Sequence, residues 1–227
     1  MSDIPKPKFD PIKFDTFEKP HGVSDASEYI HDFGRSALGG GLIRMDSSYH
    51  RPSFYEIEKG RGTTIVDMDA RGDITVPSGE ERRIATFGLG GCNAVAISAE
   101  LPDGTRKGYV QHYSPLNHQL GASMLAEATD RFARDGATNV RAVVMTPGEY
   151  SQDPSSKWTM VPRDELVTSL LTLTVQARID EADVQVYPYS EMQSADRYGQ
   201  GTLMVEFKAD GAVNMLAEAM PVKPVAE

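Results

Sequence analysis

One residue type in this chain occurs only once and is able to act as a nucleophile: Cys92 is the single cysteine among 227 residues. A lone cysteine can form no internal disulfide and no thiolate zinc cluster, so it is a small buried residue, an intermolecular link or a nucleophile. Its surroundings favour the last. The run Thr86-Phe87-Gly88-Leu89-Gly90-Gly91-Cys92 reads as the end of a strand, a glycine turn and a thiol at the start of the next strand. Glycines let the backbone reverse sharply and leave amide N–H groups uncovered beside the sulfur, so the loop of Gly90, Gly91 and Asn93 is expected to bind the oxyanion that forms when a carbonyl is attacked. A base follows in the next strand. Residues 92–101 and 105–113 alternate as two strands around Pro102, Asp103 and Gly104, which predicts a hairpin. With Asp103 and Gly104 at its centre, Cys92 pairs with residue 115 and His112 stands opposite Val95. From there one bulge or the strand twist would bring the imidazole to the thiol.

The elements that must hold this pair are legible as short periods. Alternating runs at 42–46, 54–58, 63–68, 74–76 and 83–87, separated by Gly, Pro or Asp, predict strands. Apolar residues at Leu120, Met124, Leu125, Ala128 and Phe132 predict a helix over 119–135 that stops at Gly136. A strand over 140–145, a polar loop over 146–161, a helix opened by Pro162 and Asp164 and running through Leu166, Leu170, Leu173 and Ala177, and strands over 184–189 and 202–207 complete the order. That order predicts an α/β layered sandwich with a mostly antiparallel sheet and two main helices. The expected division is a tail over 1–22, an N-terminal extension over 23–59 containing a short helix from Ser24 to Arg35, a main domain over 60–213 and a second tail over 214–227. Trp158, within the polar loop, is a candidate for a substrate lid.

Composition narrows the classes of partner. Lys and Arg number 23 against 33 Asp and Glu, a formal charge of −10, so the field repels nucleic acid and anionic lipid. No stretch reaches the roughly 18 apolar residues of a membrane span, and the first residues lack the apolar core of a signal peptide; membrane insertion is not expected, and the chain is expected to be cytoplasmic. The glycine turn is not a dinucleotide fingerprint, because Asn93 stands where the third Gly of G-x-G-x-x-G would fall. His112 and His118 lack further ligands at metal-binding spacing. No cofactor and no metal is therefore expected.

The segments TFGLGGC and GYVQHYSPL, with the helix, strand, helix, strand order and the closing GTLMVEFKADG, resemble the chemoreceptor glutamine deamidases, the CheD family. The resemblance covers roughly residues 60 to 213, and the same catalytic geometry occurs in toxins such as cytotoxic necrotizing factor and Burkholderia lethal factor. It implies a Cys92 nucleophile, His112 as general base and acid, and Thr86 as the residue that orients the imidazole. The implied reaction is deamidation of an exposed Gln on a protein substrate. Two other roles stand open for the same site: a deamidase-fold binding module that docks a regulatory protein partner, as the family's complexes suggest, and another thiol chemistry, transglutamination or hydrolysis of a small amide. Gly91 stands where the family usually has Ser, and Met145-Thr146-Pro147-Gly148 stands near its Gly-Gly-Ala segment.

Overall fold

The computed structural model describes residues 62–152, 158–179, 181–189, 201–217 and 220–221. The expected tail over 1–22, the helix from Ser24 to Arg35 and the strands over 42–46 and 54–58 lie outside the described residues.

The α/β sandwich is the architecture observed, and it has three layers. A five-stranded sheet contains β1 (Thr63–Val66), β3 (Arg82–Thr86), β9 (Leu203–Phe207), β10 (Val213–Ala217) and β11 (Met220–Pro221), in the order β1-β3-β9-β10-β11. The second sheet has the order β2-β5-β4-β6-β7, built from β2 (Ala70–Val76), β5 (Arg106–Tyr113), β4 (Asn93–Glu100), β6 (Thr138–Gln152) and β7 (Trp158–Pro162), and β8 (Asp183–Tyr189) pairs with β6. Among the described residues, only the β1–β3 and β6–β8 pairings are parallel. Two helices, α1 (His118–Arg134) and α2 (Glu165–Gln176), form the third layer.

Strand alternation divides most of the apolar residues between two cores, with a small third cluster of Ala85, Met204 and Leu216 in the five-stranded sheet. On one face of β4, Cys92, Ala94 and Ala96 meet Val110, Met145, Tyr187 and Tyr189 of their own sheet and Ile84, Leu203, Val205 and Phe207 of the other. On the opposite face, Val95, Ile97, Tyr109 and Val144 pack beneath Leu125, Ala128 and Phe132 of α1 and Val167, Leu171 and Val175 of α2. Cys92 and His112 thus belong to the inter-sheet layer, not to the helix layer.

Several expectations need correction. The segment expected as a polar loop over 146–161 is largely strand: β6 runs to Gln152 and turns back through β7, with Gly148 opposite Pro162 and Gln152 opposite Trp158. Ladder pairing along these backbones outweighs a polar composition that hydropathy reads as loop. The expected C-terminal tail contributes β10 and β11, because Met215, Leu216 and Ala217 are buried against the five-stranded sheet. In α2 the buried stripe is Val167, Thr168, Leu171, Thr172 and Val175, whereas Leu166 and Leu170 are exposed. The face chosen by the leucines is one residue out of phase. Threonine can take the inner face because Thr168 Oγ1 donates to Asp164 O at 2.8 Å and Thr172 Oγ1 to Thr168 O at 2.8 Å, so neither hydroxyl is buried without a partner. Asp164 caps this helix as expected, accepting from Val167 N at 3.0 Å.

The hairpin that carries the site also differs in register. Its loop is Pro102-Asp103-Gly104, closed by Leu101 N–H donating to Thr105 O at 2.8 Å, with Gly104 at φ 80°. A three-residue loop ending in a left-handed glycine moves the pairing by one residue relative to a two-residue turn. Ala94 therefore faces His112, and Asn93 faces Tyr113. A one-residue slip changes which face every side chain occupies. In the expected register Cys92 and His112 fall on opposite faces; in the observed one they share a face as diagonal neighbours.

Candidate active site

Thr86 ends β3 in one sheet and His112 sits near the end of β5 in the other. Their side chains meet across the sandwich, with Thr86 Oγ1 2.8 Å from His112 Nδ1, both groups buried. Thr86 Oγ1 is also 2.7 Å from Val66 O, the carbonyl at the end of the neighbouring parallel strand β1. A carbonyl only accepts, so the single hydroxyl proton goes to Val66 O, and Thr86 Oγ1 accepts from Nδ1–H. The neutral imidazole then carries its proton on Nδ1 and a bare lone pair on Nε2. Nε2 is buried and has no hydrogen-bond partner among the described residues.

Burial holds the His112 pKa below its ordinary value, because charge on the ring would be poorly solvated; the charges of Asp69 and Asp67 oppose this without reversing it. The ring is consequently neutral at pH 7, the state in which Nε2 can take a proton. Asp69 is fixed in a left-handed turn conformation at φ 59° between β1 and β2, where its Oδ1 accepts from Ser114 N–H at 2.8 Å. Hydrogen bonds from Asn117 and Ser114 hold its carboxyl below the usual range. The turn is thereby tied to the chain immediately beyond His112.

The loop ahead of Cys92 is anchored by Leu89, which is buried and whose N–H donates to Gly201 O at 3.1 Å. Gly90 N–H turns back to Gly88 O at 2.6 Å. Gly91, at φ 93°, donates its N–H to the hydroxyl of Tyr189 at 2.9 Å, and that hydroxyl donates to Cys92 O at 2.7 Å. This corrects the expectation of uncovered amides: those of Gly90 and Gly91 already have protein acceptors. The turn itself is at the surface, and it is held from beneath by the buried Leu89 and Tyr189. Asn93 lies on the helix-facing side of β4, opposite Tyr113, with its Oδ1 buried, so its side chain is directed away from the thiol.

Cys92 itself is 6% exposed, with Sγ 3.9 Å from Met68 Sδ. Met68, in the same β1–β2 turn as Asp69, is 60% exposed and covers the sulfur from the solvent side. A cleft of about 380 Å³ opens over this turn, lined by Ile65, Val66, Met68, Phe87, Gly88 and His112 among others. Met68→Ala should uncover the thiol and raise its rate of alkylation by iodoacetamide several-fold at constant pH. An unchanged rate, followed by intact mass, would show that access is limited elsewhere.

Trp158 does not join this cluster. It opens β7 opposite Gln152, whereas β6 reaches the site at Met145, opposite Ala94; seven residues separate the two positions, roughly 23 Å of strand. Sequence reasoning missed Val66, Met68, Asp69 and Tyr189. Val66 acts through its backbone and leaves no sequence signal, and the other three become neighbours of the site only through sheet packing. Among the described residues, no group of three or more His, Cys, Asp or Glu could hold a metal ion, and no helix is long and apolar enough to cross a membrane. No protein-family model matches the chain, and no curated protein matches it.

Proposed function

We propose that the chain is a cysteine-dependent amidohydrolase acting on side-chain carboxamides, a glutamine deamidase of the kind its sequence resembles. The observation that carries the reading is the chain of contacts from Val66 O through Thr86 Oγ1 to His112 Nδ1. It leaves a buried, unpartnered Nε2 on the sheet face that also holds Cys92. A structural histidine in a core is normally satisfied at both nitrogens.

In the proposed reaction Nε2 takes the Cys92 thiol proton, and the thiolate adds to the carboxamide carbon of a Gln side chain. The tetrahedral adduct collapses as Nε2–H returns the proton to the leaving nitrogen; ammonia departs and a thioester remains. Water, deprotonated by Nε2, then attacks the thioester, releasing Glu and restoring the thiol. Thr86 keeps the proton on Nδ1 throughout, so that Nε2 is the nitrogen that works.

A second reading is a binding module on the same fold, favoured by one observation: Cys92 Sγ is buried in contact with Met68. One experiment separates the two. Purified protein is incubated with a Gln-rich protein extract, before and after alkylation of its sole cysteine, and ammonia is measured. Release that disappears on alkylation supports the enzyme; no release above the alkylated control overturns it. Added primary amine appearing in the substrate would redirect the reading to transglutamination.

A further inference from the structure

We propose that Tyr189 is the positioning residue of the nucleophile. The inference rests on Cys92 being the reactive thiol and adds to that reading the device that holds the sulfur in place.

Tyr189 closes β8, where it stands opposite Pro147 in the parallel pairing with β6. Its ring is 1% exposed within the inter-sheet core. A phenylalanine would fill that space equally well, so packing alone gives no reason for the hydroxyl. The hydroxyl is bonded to the two-residue stretch that ends in the nucleophile: it accepts from Gly91 N–H at 2.9 Å and donates to Cys92 O at 2.7 Å. The phenol proton is thus committed to the carbonyl and a lone pair to the amide, which uses both functions of the group in one place.

This clasp has a mechanical consequence. Gly91 is in the left-handed region at φ 93°, a conformation open to several alternatives in a glycine loop. Holding Gly91 N–H at one end and Cys92 C=O at the other on a single hydroxyl pins the two-residue stretch at both ends, which restricts its torsions and with them the direction of the Cys92 Cα–Cβ bond. Sγ is thereby held on the His112 face. Without the clasp, the loop retains its anchor at Leu89 but the thiol samples orientations in which Nε2 cannot reach its proton. Small displacements of a reacting group are enough to lower rates by an order of magnitude or more.

Tyr189→Phe removes the hydroxyl and keeps the ring. Alkylation of Cys92 by iodoacetamide across pH 6 to 9 reads the thiol without requiring any substrate. We expect the rate at pH 6.5 to fall by about tenfold, with the profile moving toward that of an ordinary cysteine, and kcat for ammonia release to fall with KM little changed. A folded Tyr189→Phe protein with the wild-type alkylation profile overturns the proposal. If the variant does not fold, hydrogen exchange on the wild type decides: a Gly91 amide protected like those of β4 supports the clasp, and one exchanging at the rate of an open loop overturns it. A wild type that alkylates rapidly, loses this on Tyr189→Phe and yet releases no ammonia would refute the deamidase reading while leaving the positioning role standing.

Discussion

His112→Ala is expected to lower turnover by about 10²- to 10⁴-fold, the range associated with removal of a positioned general base, and to move the reactivity of Cys92 to alkaline pH. The sign follows from the pKa. Burial holds His112 below its ordinary value, so Nε2 keeps its lone pair from above pH 7 down through pH 6.5 and gains a proton only lower. In the wild type, alkylation and turnover should therefore persist near pH 6.5 and decline on an acid limb beneath it. In the variant no base is present, and labelling should rise only toward the value of a free thiol, about 8.5. With one cysteine in the chain, intact mass reports the labelling directly. Coincident pH profiles for wild type and variant would mean that the imidazole and the thiol are not coupled, and the enzyme reading would fall.

Thr86→Val is expected to lower turnover by about 10- to 100-fold, because the imidazole remains but its proton is no longer fixed on Nδ1. Valine matches threonine in shape and removes only the hydroxyl that joins Val66 O to His112 Nδ1. At least one buried polar group then lacks its partner, at a cost of about 1–3 kcal/mol, which should appear as a Tm lower by roughly 2–12 °C. Thr86→Ser supplies the control, since it restores the hydroxyl while losing a methyl group. Recovery of turnover in the serine variant would assign the effect to the hydrogen bond. Equal turnover in wild type and the valine variant would instead assign the orientation of the ring to other contacts.

The sequence alone determined the parts of this protein that depend on local pattern. Helix α1 was placed within a residue at each end by its spacing and by Gly136, helix α2 by its Asp164 cap, and β3, β4, β5 and β9 by alternation between turn residues. The candidacy of Cys92 also needed only the sequence, because a single thiol after a glycine turn stands out by type and context. Three features lay beyond it. Register was one: two- and three-residue turns fit Pro102-Asp103-Gly104 almost equally well, and only the pairing of Ala94 with His112 put thiol and imidazole on one face. The inner face of α2 was another, since a Thr/Val stripe and a Leu stripe are both amphipathic until a sheet is set beneath one of them. The third was the set of residues that hold the site. Val66, Met68, Asp69 and Tyr189 come from two other segments, the end of β1 with its following turn and the end of β8, and their roles arise because the two sheets stack so that the ends of β1, β3, β5 and β8 converge on the loop before Cys92. Local periodicity records which side of an element is apolar. Which ends of distant elements meet is decided by sheet order and stacking, and those are long-range properties of the folded chain.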